Sequence, residues 1–166
     1  MALLAVFWAP AFWKTSPAGV TPPAGTNVFS VDSRSHVLGD VTYTQTPPVG
    51  GDHAPLWQNC GFYDAPIRDE TAVHSLEHGA VWITYRPELP HAQLSVLRRL
   101  SEQQNYVLVS PFPSLPSPVV ASAWAHQIRL HSAGDHRLRR FIDAFRLSGD
   151  APEPGGGCTG GVGSPK

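Results

Sequence analysis

The chain has 166 residues, enough for one domain with a real core, a formal net charge of -1 and 15% charged residues. This balance excludes a basic surface for nucleic acid, so we expect no nucleic-acid partner. The 17 prolines and 15 glycines, many of them near the two ends, predict irregular segments there.

The first fourteen residues, MALLAVFWAPAFWK, are mostly apolar. A bilayer span needs about 20 residues, and a signal peptide needs a basic segment before its apolar run. We therefore interpret residues 1–14 as a truncated membrane anchor or signal remnant, with a helix packed on the domain as the alternative. Residues 15–34 are rich in proline, glycine and threonine and are predicted to be a linker.

A single globular domain is predicted over residues 35–150, followed by a flexible tail, residues 151–166. The segment DVTYTQ, residues 40–45, alternates polar and apolar side chains and predicts a strand. The segment PPVGGDHAPLW follows, with paired prolines and paired glycines. It predicts a rigid loop that holds His53 in a fixed position.

A short helix is predicted next, with Asp69 as its N-cap and Gly79 directly after its end. The segment AVWITY, residues 80–85, predicts a buried strand. A helix over 91–104, a strand over 106–112 and one or two strands over 118–131 follow. The last predicted element is an amphipathic helix capped by Asp135 and ended by Gly149.

These elements predict an α+β fold with one mixed sheet, two main helices and one short motif helix. Their order also allows a thioredoxin-like arrangement. The C-x-x-C pair that would give such a fold redox chemistry is absent from the sequence.

The predicted short helix contains the pattern H-x-x-E-H, formed by His74, Glu77 and His78. At about 100° per residue, the three side chains can share one face of a helix. Two imidazoles one turn apart commonly bind a transition metal, and inverted zinc peptidases carry the same pattern. The alternative is a pair of histidines without a ligand, which the helix dipole stabilises when they are protonated.

Two cysteines, Cys60 and Cys158, lie almost a hundred residues apart. In an exported protein they would form a disulfide that ties the tail to the domain, stabilising it by up to about 4.7 kcal/mol in the chain-entropy model. Alternatively, Cys60 beside His53 could be a zinc or copper ligand. Two free thiols are the third alternative.

Two long segments, PPVGGDHAPLWQNCGFYDAPI and AVHSLEHGAVWITYRP, resemble the signature of DUF3105, a bacterial family of unknown function. The resemblance covers residues 35–158. It implies a domain on the extracytoplasmic side of the cell membrane, held by an N-terminal transmembrane anchor, or a secreted one. It also points to His53, His74 and His78, and it favours a disulfide for the two cysteines.

The leading functional hypothesis is an extracytoplasmic domain that binds a copper or zinc ion through His53, His74 and His78. Glu77 would then accept a hydrogen bond from a ligating imidazole and orient it. No catalytic residue is assigned, and the sequence favours a role other than catalysis.

Two other functions remain open. The first is a structural or interaction module, in which the histidines bond to the backbone and an aromatic surface binds a protein partner in the cell envelope. That surface would consist of Trp57, Phe62, Tyr63 and Trp82. The second is a zinc hydrolase in which Glu77 activates water, although a strand directly after Gly79 leaves little room for a cleft.

Overall fold

The computed structural model describes residues 20–166, so the predicted anchor at residues 1–14 and the first part of the linker lie outside the described residues. Within this range the chain forms three helices and six strands. In chain order they are β1 (Thr26–Val28), β2 (Gly61–Phe62), α1 (Asp69–Glu77), β3 (Val81–Tyr85), α2 (His91–Gln103), β4 (Val107–Pro111), β5 (Val119–Ala123), β6 (His126–Leu130) and α3 (His136–Phe145). None of the helices in residues 20–166 is long and apolar enough to cross a bilayer.

The six strands form one mixed sheet in the order β1-β6-β5-β3-β4-β2. β3 and β4 are parallel, with α2 between them in the chain, and β2 pairs in parallel with the outer side of β4. β5 is antiparallel to β3, β6 to β5, and β1 to β6. The predicted α+β class is confirmed, and the thioredoxin-like order is not.

The two faces of the sheet carry different layers. On one face, alternate residues of β3 such as Ile83 share an apolar cluster with α2 and α3. On the other face, Trp82 of β3 and Leu108 of β4 pack with Leu76 of α1. Because side chains alternate across a strand, α1 lies on the face opposite the two longer helices. The H-x-x-E-H motif is therefore held between this face and the loops that cover it.

Both longer helices bury an apolar face, which includes Leu97 of α2 and Phe141 of α3. Asp135 caps α3 as predicted, because its carboxylate accepts the backbone N–H of Arg137 at 2.9 Å. The helix ends at Phe145, before the predicted stop at Gly149. Leu147 takes the left-handed conformation there, with φ of 58°.

The strand predicted at residues 40–45 is wrong, since that segment is irregular. Its hydrogen bonds to the rest of the domain involve side chains. The backbone N–H of Val41 donates to the Glu70 carboxylate at 2.8 Å, and the Tyr43 hydroxyl donates to the Asp52 carbonyl at 2.8 Å. The predicted cap of α1 is also shifted, because Asp69 is the first helical residue and the N-cap position has no side-chain hydrogen bond.

Candidate metal centre

The loop before α1 places His53 at the buried centre of a polar site. His53 is fully buried. Its backbone N–H donates to the Ser35 carbonyl at 3.0 Å, and its carbonyl accepts the Val37 N–H at 2.8 Å. These two bonds form a parallel bridge that sets His36 beside His53. The two histidines are thus brought together by backbone pairing between distant segments.

Helix α1 supplies two further side chains, His74 and Glu77, which face His53. His74 and Glu77 are one turn apart, and both are buried. Glu77 Oε2 lies 3.0 Å from Nε2 of His53. The His53 and His74 rings meet edge to face, with centroids 4.9 Å apart. A carboxylate that is only 2% exposed is therefore surrounded by imidazoles.

His36 closes the site on its outer side. Its ring stacks on His74 with centroids 4.8 Å apart, and its Nε2 lies 3.7 Å from Glu77 Oε2. One ligand atom from each of His36, His53, His74 and Glu77 lies within 4.8 Å of every other. We name these four residues the histidine–glutamate cluster. Three of them are buried, whereas the His36 side chain is 51% exposed.

His78, the third histidine predicted as a ligand, lies at the edge of this cluster. Its Nε2 is 3.0 Å from Nε2 of His74, but it is not among the four groups that all lie within 4.8 Å of one another. Its Nδ1 donates to the Gly157 carbonyl at 2.6 Å. The orientation of His78 is therefore set by the C-terminal segment, 79 residues further along the chain.

The C-terminal segment forms the outer wall beside His78. The backbone N–H of Glu153 donates to the Glu77 carbonyl at 3.0 Å, and that of Gly155 donates to the His78 carbonyl at 3.0 Å. A Cβ on Gly156 would overlap the His78 ring. This close approach explains the glycine at position 156, since no larger residue fits there.

Cys60 and Cys158 form a disulfide, with their Cα atoms 5.3 Å apart. The bond joins the loop after His53 to the C-terminal segment, next to the carbonyl that holds His78. Both cysteines described by the structure are paired. The alternative assignment of Cys60 as a metal ligand is therefore wrong.

Three imidazoles are fixed in one tautomer by the same device. Each points Nδ1 at a backbone carbonyl, which can only accept a hydrogen bond, so Nδ1 carries the proton. The distances are 2.8 Å from His53 to Gly51, 2.7 Å from His74 to Ala54, and 2.6 Å from His78 to Gly157. In the neutral rings, Nε2 then presents only a lone pair. Metal-binding histidines are usually oriented in this way, by a hydrogen bond from the other ring nitrogen.

The Nε2 atoms consequently make two contacts between hydrogen-bond acceptors. His53 Nε2 faces Glu77 Oε2 at 3.0 Å, and His74 Nε2 faces His78 Nε2 at the same distance. Two acceptors this close repel each other unless a cation lies between them or one of them takes up an additional proton. A metal ion or an added proton would relieve both contacts, because either one supplies positive charge between the lone pairs.

The environment of His74 favours the neutral, ligating form. Burial lowers the pKa of His74, and the neighbouring imidazoles of His78, His53 and His36 lower it further, against the opposing effect of its hydrogen bond to Ala54. A lowered pKa leaves the Nε2 lone pair free at neutral pH. An incoming metal ion therefore does not have to displace a proton from this nitrogen.

The sequence therefore predicted three members of the cluster, His53, His74 and Glu77, and missed His36. Its position depends on the bridge to His53, for which residues 35–37 carry no recognisable pattern. The aromatic surface predicted for a partner is not formed, because Phe62, Tyr63 and Trp82 are buried. Trp57 is partly exposed and packs against the rings of His74 and His78.

Comparison with known proteins gives one family and no individual relative. Neither a curated protein nor a solved structure matches the chain. The family model described as "Protein of unknown function (DUF3105)" matches residues 36–160, which begin at His36 and include the whole histidine–glutamate cluster, His78 and both cysteines. The chain belongs to the DUF3105 family.

Proposed function

We propose that this domain binds one transition-metal ion, zinc or copper, through the histidine–glutamate cluster. The observation that carries the proposal is the direction of the imidazoles. Nδ1 of His53 and of His74 is committed to a carbonyl, and Nε2 of each is turned toward the buried Glu77 carboxylate or a neighbouring imidazole. Such a group of acceptors is complementary to a cation that accepts several lone pairs.

The donor set limits the choice of metal. Three imidazoles and one carboxylate suit Zn²⁺ or Cu²⁺. The site offers no thiolate, because both cysteines form the disulfide. The chain's single methionine is Met1, so a methionine-rich site for Cu⁺ cannot be built.

The spacing of the His53–Glu77 donor pair is compatible with a single ion. Two donor atoms 3.0 Å apart, each about 2.1 Å from the same ion, subtend roughly 90° at that ion. The contact between Glu77 Oε2 and His53 Nε2 supports a role for Glu77 as a ligand, where the sequence suggested only an orienting partner. His78 would either join as a further ligand through Nε2 or orient His74.

Hydrolysis is not part of the proposal. A hydrolase of H-x-x-E-H type needs its glutamate free to take a proton from water. Here the Glu77 carboxylate faces His53 Nε2 at 3.0 Å and is 2% exposed. The carboxylate is better placed to bind an ion than to act as a base.

We place this function outside the cytoplasm. A disulfide persists in oxidising compartments, and the Cys60–Cys158 bond is compatible with such a location. The apolar residues 1–14 are consistent with attachment to the cell membrane, facing the extracytoplasmic side, or with secretion. A protein partner in the cell envelope would then deliver or receive the ion.

A structural role is the second candidate, and one observation favours it. The Nδ1 bonds of His74 and His78 fasten α1 to two separate segments, at Ala54 and Gly157. In a purely structural site an extra proton would supply the positive charge in the cluster. The domain would then bind no metal, and loss of a histidine would lower stability alone.

The test is the metal content of the domain after export to the periplasm, with His74→Ala beside the wild type. We expect about one zinc or copper ion per wild-type chain and none in the variant. His131→Ala is the matched control, because His131 is exposed and lies outside the cluster. Absence of metal from the wild type after incubation with Zn²⁺ and Cu²⁺ would refute the proposal in favour of the structural role.

A further inference from the structure

One member of the histidine–glutamate cluster differs from the others in exposure. His53, His74 and Glu77 are at most 4% exposed, whereas the side chain of His36 is 51% exposed. An ion entering or leaving the site must pass through the part of its surroundings that solvent reaches. The exposure of His36 places that part at its ring.

The other sides of the cluster are covered by packed groups. The Trp124 ring meets His53 edge to face, with centroids 6.2 Å apart. Trp57 packs on His74 with centroids 5.8 Å apart. Both tryptophans would have to move for an ion to pass on their sides, and Trp124 is itself buried. Movement of the exposed His36 ring disturbs much less packing.

His36 also differs in how its ring is held. Each buried imidazole of the cluster donates Nδ1–H to a carbonyl. Within residues 20–166 the His36 ring makes no such bond, and its Nε2 lies 3.7 Å from Glu77 Oε2, beyond hydrogen-bonding distance. It is held by packing against two rings, stacked on His74 and edge to face on His53, with centroids 4.8 and 4.9 Å apart. Exposed side chains change rotamer in picoseconds to nanoseconds, so this ring can leave and return quickly.

The backbone beneath His36 is fixed. The neighbouring residues Ser35 and Val37 are bonded to His53 on either side, and the Ser35 N–H donates to Asp52 Oδ1 at 2.8 Å. The ring can therefore swing out without unfolding the segment that carries it. Three preorganised ligands and one movable ligand form a site that can exchange its ion.

We propose that His36 is an exchangeable ligand, and that the domain passes its metal ion on when an incoming imidazole donor takes the place of this ring. The proposal rests on the metal site of the preceding section and adds its mode of operation. The bond from His36 to the ion breaks as the bond from the incoming nitrogen forms. The bonds from His53, His74 and Glu77 then break as further donors of the same acceptor bind the ion, and the charge of the ion does not change. The domain then acts as a carrier of metal rather than a permanent holder of it.

The experiment compares His36→Gly, His53→Gly and wild type, each loaded with Zn²⁺, by the rate of transfer to a coloured chelator with and without added imidazole. We expect His36→Gly to keep one ion per chain and to release it at least about tenfold faster, since changes around a metal ligand commonly weaken binding by that factor. Imidazole should slow this release toward the wild-type rate. It should also shift the visible absorption band of the Cu²⁺ form of the variant.

His53→Gly should lose the ion and should not be rescued, because His53 is fully buried and its loss leaves the cluster incomplete. His131→Gly, on an exposed loop, should behave as wild type. The inference is overturned if His36→Gly transfers its ion at the wild-type rate, or if it loses the ion and imidazole does not restore binding. Wild type that binds no metal is a different result, since it removes the proposed function itself.

Discussion

Replacement of Glu77 by glutamine should change stability in opposite directions with and without metal. In the metal-free protein, Glu77 Oε2 faces the lone pair of His53 Nε2 at 3.0 Å, because His53 Nδ1 is committed to the Gly51 carbonyl. The amide group of glutamine can donate to that lone pair. The substitution therefore turns a contact between acceptors into a hydrogen bond and removes a buried charge.

The size of the effect follows from these contacts. A buried group without a suitable hydrogen-bond partner costs about 1–3 kcal/mol, so Glu77→Gln should raise the free energy of unfolding of the metal-free protein by up to that amount. With Zn²⁺ at 100 times Kd, wild type gains about 2.7 kcal/mol. If the variant binds about 100-fold more weakly, its gain at the same concentration falls to about 0.4 kcal/mol.

Urea unfolding measures both effects, once with a chelator and once with Zn²⁺. Glu102→Gln is the control for loss of one negative charge, because Glu102 is exposed on α2. If the two residues instead form an ordinary buried ion pair, removing one partner should be destabilising, by about 3–5 kcal/mol. A metal-free Glu77→Gln variant that is less stable than wild type, with no effect of Zn²⁺ on either protein, would refute the reasoning.

Three further substitutions test the surroundings of the site. Gly156→Ala should displace the His78 ring, lower the free energy of unfolding by about 1–3 kcal/mol and weaken metal binding. Gly134→Ala, where a Cβ fits, should change neither stability nor metal binding. Urea unfolding and metal titration measure the two quantities. Serine in place of both cysteines of the disulfide should lower the free energy of unfolding by up to about 4.7 kcal/mol, and an unchanged urea midpoint would contradict this. Asp135→Ala should cost about 1 kcal/mol at pH 7 through loss of the helix cap. Hydrogen bonds from Arg137 lower the pKa of Asp135 to about 2, below its ordinary 3.8, so its charge stabilises the fold above pH 3.8. The stabilisation from this charge should be lost as the pH falls through 2, so the difference in urea midpoint between wild type and Asp135→Ala should shrink. A difference that widens on acidification would contradict the role of the charged Asp135 as a helix cap.

The fold was predictable where its elements have a clear period. The apolar stripes of α2 and α3 and the continuous apolar runs of β3 and β4 identify their elements because each buries a defined face. The two edge strands were not predicted. β1 has three residues and β2 has two, too few for an alternation to be visible.

The false strand at residues 40–45 shows how a local pattern is overridden. Its alternation is typical of a half-buried strand. The backbone N–H of Val41 is instead bound by the carboxylate of Glu70, 29 residues away. A hydrogen bond from a distant side chain leaves no signal in the local sequence.

The residues of the site likewise fall into those that a local sequence pattern reveals and those that only the folded chain brings together. His74, Glu77 and His78 were predicted because their spacing on a helix is a local property. His53 was predicted from the stiffness of its loop. His36 could not be found, since it reaches the cluster through pairing with a segment 17 residues further on. The direction of His78 depends on Gly157, which only the folded tail brings close.

The most direct test of the metal site is an anomalous difference map, measured at the zinc absorption edge, from a crystal of the domain grown with Zn²⁺. The account predicts one strong peak about 2.0–2.2 Å from Nε2 of His53, Nε2 of His74 and a carboxylate oxygen of Glu77, with His36 as the fourth ligand. No peak in the cluster at saturating Zn²⁺, or an ion bound only at surface residues, would contradict it. The histidines would then be part of the hydrogen-bonded framework alone.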